Sequence, residues 1–148
     1  MVPSRRAAGA ATYLGRMPRT PAPAVAAALS FVDAINRGDA DALIALMTDD
    51  HRMLLFDEAP VHGRAANGDG WRGYLSGYPD YVIYPDRITE DDNVVAILGH
   101  TTGSHLGLPD EQEAAEPLIW LATVHEGRIA EWRLLPDDPV LRGRHRLD

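Results

Sequence analysis

The amino-acid sequence predicts an α+β domain, on three observations. Apolar residues in the first half recur mostly at helical spacing, those after Pro79 fall into β-prone runs separated by turn signals, and the two kinds of segment do not alternate regularly along the chain. Helices segregated from a run of strands are the pattern of an antiparallel sheet with one face covered.

From Ala24 to Asn36 the residues Val25, Ala28, Leu29, Val32 and Ile35 form one apolar stripe of a first helix. Gly38 supplies a left-handed stop, and Asp39 can cap a second, short helix over Ala40 to Met47, which Thr48-Asp49-Asp50 ends. His51 to Phe56 has too few residues for a helix and reads as a strand; Val61-His62-Gly63 offers a brief partner for it after the turn Glu58-Ala59-Pro60. Trp71, Tyr74, Leu75 and Tyr78 stand at i, i+3, i+4 and i+7, so a helix is expected there, held by its aromatic stripe against interior glycines that each cost about 1 kcal/mol. Tyr81 to Thr89 reads as a strand in which Pro85 marks an edge or a bulge. A turn at Asp91-Asp92-Asn93 leads to a long strand, Val94 to His105. An acidic loop follows, then Leu118–His125 and Arg128–Leu135 as strands about a turn at Glu126-Gly127, and an irregular tail over 137–148.

A chain of 148 residues fits one domain, here 23–136. Cysteine is absent, which removes disulfides, thiolate metal sites and cysteine nucleophiles and suits a cytoplasmic bacterial protein. All 14 basic residues are arginine, so Schiff-base chemistry and a phosphate-loop lysine are excluded. Residues 1–22 hold Arg5, Arg6, Arg16 and Arg19 and no acid, leaving ten arginines against 22 acids in the remainder. So acidic a domain repels nucleic acid and anionic membranes, and no stretch approaches the ~20 apolar residues of a membrane span. The first 22 residues lack the apolar core of a secretory signal; they read as a disordered tail or as an over-long gene start whose true beginning is Met17.

The stretch FVDAINRGDADALIALMTDDHRMLLF resembles the opening of nuclear-transport-factor-2-like, or SnoaL-like, domains: an aromatic on the first helix, a Gly-Asp junction, a short helix ending in Asp-Asp, then a strand. The closing WLATVHEGRIAEWRLLPD is similar to the last two strands of that superfamily, and the likeness spans about residues 24–136. It implies a cone in which a curved antiparallel sheet wraps three helices. The superfamily contains ketosteroid isomerases, epoxide hydrolases, polyketide cyclases, dehydratases and non-catalytic association domains, so fold leaves function open.

Matched to isomerase-like members, the resemblance sends Phe31, His100, Thr102, Trp120 and Trp132 into the cone. It also shows what is missing. The isomerase tyrosine falls on Phe31, its general-base aspartate on Leu55 or Phe56, and its second acid on Trp120; the Asp-Arg-Asp set of the epoxide hydrolases falls on Leu98, His100 and Leu134. Neither specific chemistry is retained.

His100 is the leading candidate acid/base group, since an imidazole in an apolar wall is mainly neutral at pH 7 and can take a proton; the alternative is a core histidine bonded to Thr102, a tyrosine or a backbone carbonyl. Asp57 follows the isomerase base position by one or two residues and is a second candidate, or a solvated turn residue. His105 has the opposite strand parity to His100 and shares the cavity only if Gly103 introduces a bulge. Thr102 would orient a ligand and Phe31, Phe56, Tyr74, Tyr78, Trp120 and Trp132 would wall it, or pack as core. No metal-ligand spacing is present, and no cofactor is implied. Two readings stand: an isomerase, cyclase or dehydratase acting on a hydrophobic metabolite, or a binding or association module using the same cone. Ile119, Leu121, Ile129 and Leu135 are expected on the outer sheet face, where they would serve a homodimer.

Overall fold

The computed structural model describes residues 22–148, so the N-terminal segment, apart from Ala22, lies outside the described residues. Helix α1 (Pro23–Arg37) carries the expected stripe, with Phe31 and Ile35 fully buried. Gly38 closes it at φ 67°, and the Asp39 carboxylate accepts from the Ala42 amide at 3.0 Å to start α2 (Ala40–Ala45). That helix is shorter than expected because Met47 is already committed to strand β1 (Met47–Leu55) beside Ile129. Thr48, Asp49 and Asp50, expected to end a helix, are therefore strand residues. Strand β2 (Val61–His62) pairs with β1, and α3 (Arg64–Gly77) begins well before its aromatic stripe. Gly68 faces α2 closely: a Cβ there would lie 2.9 Å from Ile44 Cδ1, so a larger residue would need the Ile44 side chain to move.

Strands β3 (Val82–Asp91), β4 (Val94–Thr102), β5 (Leu118–His125) and β6 (Arg128–Pro136) complete the sheet, with a short helix α4 (Asp110–Ala114) inside the acidic connection between β4 and β5. The sheet order is β2-β1-β6-β5-β4-β3; β3 is an edge, and its register shifts between Pro85 and Arg87, as Pro85 suggested. One pairing departs from an antiparallel sheet. β1 runs parallel to β6, so the first long strand is held by the last.

The segment expected to be an irregular tail is instead ordered. Helix α5 (Pro139–Arg144) is capped by Asp138, and Leu147 beyond it is fully buried against Ala96, Leu98 and Ile119 on the outer sheet face. Arg142 holds Asp137 through two bonds of 2.6 and 2.8 Å, and Thr89 Oγ1 donates to the His145 carbonyl at 2.6 Å. The apolar outer face that the sequence offers to a second copy thus meets the chain's own C-terminal segment. Ile129, expected on that face, lies in the inner core instead. Val124 pairs with Ile129 and Thr123 with Glu131, leaving Ala130 as an extra residue that reverses the parity.

The inner core joins α1 to Ile97, Trp120, Ala122 and Trp132, and the Phe31 ring lies 4.7 Å from that of Trp132. His51 is buried beside it, its Nδ1 donating to the Ile129 carbonyl at 2.6 Å, which leaves Nε2 without a partner. Burial, the largest influence, pushes the His51 pKa down against the opposing carbonyl and nearby acids. A depressed folded pKa means that the unfolded chain takes up the proton first. Stability is then full above the unfolded value of about 6.5 and is lost as pH falls below it, by at most about 1.4 kcal/mol per pH unit for one histidine. Urea midpoints should drop between about pH 7.5 and about pH 5.5, and His51→Gln should flatten the slope; an unchanged slope in that variant would remove His51 as its source. His145, lowered chiefly by burial and then by Arg144, contributes in the same direction.

Candidate functional site

Between the sheet and α3 the cone leaves a cavity of about 670 Å³. Its floor comes from Met53 and Leu55 of β1, Leu118 of β5 and Leu134 of β6, because alternate residues of these strands face inward. Trp71, Tyr74 and Tyr78 supply one wall from the α3 stripe, and Phe56 and Tyr81 add two further rings. Phe56 sits at φ 54° where β1 ends, 41% exposed, at the rim. The remaining wall is the β4–β5 connection, from Ser104 through Glu116.

Only part of the expected site is in this cavity. Phe56, Tyr74 and Tyr78 line it; Phe31, Trp120 and Trp132 do not, being packed in the core with at most 1% exposure. Asp57 is exposed, and the left-handed turn at Phe56 brings Glu58 rather than Asp57 to the rim. His100 and Thr102 lie on the opposite face of the sheet. The pairing Ile97↔Trp120 puts Ile97 inward with that tryptophan, so Ala96, Leu98, His100 and Thr102 point outward. There His100 Nδ1 meets Asp86 Oδ2 at 2.8 Å, its ring stacks on Tyr84 at 4.8 Å, and the Thr102 hydroxyl donates to Tyr84 at 3.4 Å.

In their place the cavity holds groups from just past the end of β4. Gly103, at φ 72°, ends the strand and turns His105 toward the cavity mouth, so His105 and not His100 reaches it. The Tyr74 hydroxyl lies 2.9 Å from His105 Nδ1 and accepts from the His105 amide at 3.2 Å. Deeper, Glu113 is 3% exposed; Thr101 Oγ1 donates to its Oε2 at 2.6 Å and the Ser104 amide to its Oε1 at 3.3 Å. Burial raises the pKa of Tyr74 and of Tyr81, and the Glu113 charge adds to both, so the phenols stay protonated and the carboxylate stands close to them. Asn67, also lining the cavity, ties its base together by donating to the carbonyls of His51, Val61 and Gly63.

Nothing in DEQEA distinguishes Glu113 from its acidic neighbours before α4 is known, so the sequence does not announce it. His105 was legible only as a conditional on Gly103. Among the described residues no three His, Asp or Glu side chains gather as a metal site, and no helix is long and apolar enough to cross a membrane.

Solved structures share this architecture. A Sinorhizobium meliloti protein provisionally named a polyketide cyclase is 25% identical, over 73% of this chain and 92% of its own, with a TM-score of 0.60. A provisionally named SnoaL-like polyketide cyclase from Jannaschia sp. CCS1 is 21% identical over 86% and 94%, with a TM-score of 0.64. An epoxide hydrolase of the LEH-like kind from M. tuberculosis is 19% identical over 78% and 83%, with a TM-score of 0.61. No curated protein matches the sequence. The model of the SnoaL-like domain matches residues 28–132, from the middle of α1 to the tryptophan of β6, and the chain belongs to that family.

Proposed function

We propose that this protein moves a proton on a hydrophobic metabolite held in the cavity, as an isomerase, cyclase or dehydratase, with His105 as the acid/base group. One observation carries the reading: in a mainly apolar cavity, an imidazole at the mouth is held through Nδ1 by a phenol while its Nε2 has no partner among the described residues. A phenol can donate to Nδ1 or accept from it, so Tyr74 supports either ring tautomer. With Nδ1–H donating to the phenol oxygen, Nε2 can take a proton and return it without any change at Nδ1. The aromatic rings and leucines would hold a flat apolar body. The likeness to proteins named as polyketide cyclases agrees with this class of chemistry.

The rival reading, a binding module without chemistry, draws on the exposure of His105, which leaves the ring in water. Deuterium exchange separates the two. In D2O, the wild-type protein should accelerate exchange of the protons beside the carbonyl in at least one member of a panel of cyclic ketones and enones, followed by NMR. His105→Gln should cut that rate by about 100-fold or more, the usual contribution of a positioned acid/base group. Saturable binding with no exchange across the panel would favour the module.

A further inference from the structure

Taking the cavity as a ligand site, as the proposed function does, we infer that its ligand carries a cationic group, an amine or quaternary ammonium, on an apolar body. The charged groups around the cavity are of one sign. Glu58, Glu113 and Glu116 line it, while none of the ten arginines among the described residues does. Glu113 is the decisive one. It is buried, its only recorded partners are the Thr101 hydroxyl and the Ser104 amide, and no cationic side chain pairs with it among the described residues. A buried carboxylate without a counter-ion is costly, and an ammonium in the cavity would supply the missing charge.

A second observation is independent of the acids. Phe56, Trp71, Tyr74, Tyr78 and Tyr81 all contribute to the cavity lining. Tyr74 is packed edge-on against Trp71 and Tyr81, with centroids 6.2 and 5.1 Å apart, and tilted against Tyr78 at 4.8 Å, so the rings present different orientations around one space. Ring faces attract cations, and several rings beside a carboxylate are the usual recognition of ammonium groups. Tyr81 adds a polar handle: it is 8% exposed, lines the cavity, and its hydroxyl has no hydrogen-bond partner among the described residues. An anionic ligand would face three carboxylates with no arginine to receive it.

Three probes with one ring system test this: 2-naphthylmethylammonium, 2-naphthalenemethanol and 2-naphthoate, titrated into the full chain at physiological salt. The indole N–H resonance of Trp71 reports the cavity, with those of Trp120 and Trp132 in the core as internal references. The ammonium should bind at least tenfold more tightly than the alcohol, and the naphthoate most weakly. Glu113→Gln should abolish most of that preference, bringing the ammonium to within about threefold of the alcohol. Glu111→Gln removes the same charge from the exposed surface of α4 and should leave the preference intact, which separates the cavity carboxylate from the acidity of the whole protein. Equal or tighter binding of the alcohol would overturn the cationic ligand and leave the cavity as a neutral-ligand site. An equal loss in both variants would overturn the role of Glu113. If none of the three shifts the Trp71 resonance, the ligand-site reading falls with it.

Discussion

Leu147→Asp should strip the C-terminal segment from the sheet and lower the melting temperature by more than any surface change. Leu147 is fully buried on the outer face against Ala96, Leu98 and Ile119. Truncating such a leucine to alanine costs about 2–5 kcal/mol, and an unpaired carboxylate in its place costs more, against a total stability of about 5–15 kcal/mol. For a chain of this size each kcal/mol moves the melting temperature by about 2–4 °C, so Leu147→Ala should lower it by roughly 5–15 °C, and Leu147→Asp by more. The hydrogen bonds around it would go too: the Leu147 amide to Arg142, the Thr89 hydroxyl to His145, and Arg146 to the Glu90 carbonyl. A thermal scan that moves by under about 2 °C for the aspartate variant would show that this segment does not stabilise the sheet.

Gly103→Ala should be the most disruptive single methyl in the molecule, and it connects stability to the cavity. The residue sits at φ 72°, and an added Cβ would lie 2.3 Å from the carbonyl oxygen of Asp80, which is backbone and cannot swing aside. The left-handed conformation alone costs roughly 1–2 kcal/mol for alanine, and relief of the contact requires the chain to shift. That shift should carry Ser104 and His105 with it and break the Tyr74–His105 pair. Gly107→Ala is the matched control, since Gly107 has φ 67° but nothing within 4 Å of the added carbon. Urea unfolding should therefore show a loss of about 3 kcal/mol or more at Gly103 and about 1–2 kcal/mol at Gly107. Equal losses would mean that conformation, and not the contact with Asp80, sets the requirement for glycine.

The hairpin of β5 and β6 was readable because two β-prone runs flank Glu126-Gly127, which sits at positive φ, although the extra residue Ala130 hid the face of Ile129. The inward row of β4 was not, and the reason is physical. Val94 to Leu98 is apolar on both faces, since one meets α1 and the other meets Leu147, so alternation carried no sign. A one-residue slip in register then placed His100 in the cavity and His105 in doubt, when the pairing of Ile97 with Trp120 dictates the reverse. The aromatic stripe of α3 was legible and does line the cavity, whereas Glu113 depends on a five-residue helix too short to show a period. The C-terminal segment was missed for a similar reason: a few apolar residues among arginines and aspartates look solvated until the sheet face they cover is known.

The parallel alignment of β1 with β6 has a consequence for how the chain is made. During synthesis β1 emerges from the ribosome about eighty residues ahead of the strand that will hold it, with only the two-residue β2 as an earlier strand partner. Pairing along that edge of β1 must wait until β6 has been made, because distant contacts bear the entropy of closing a long loop before they return any stability. Purified chains truncated before Arg128 should accordingly remain protease-sensitive across β1, while chains carried through β6 and the C-terminal segment become protected in a single step.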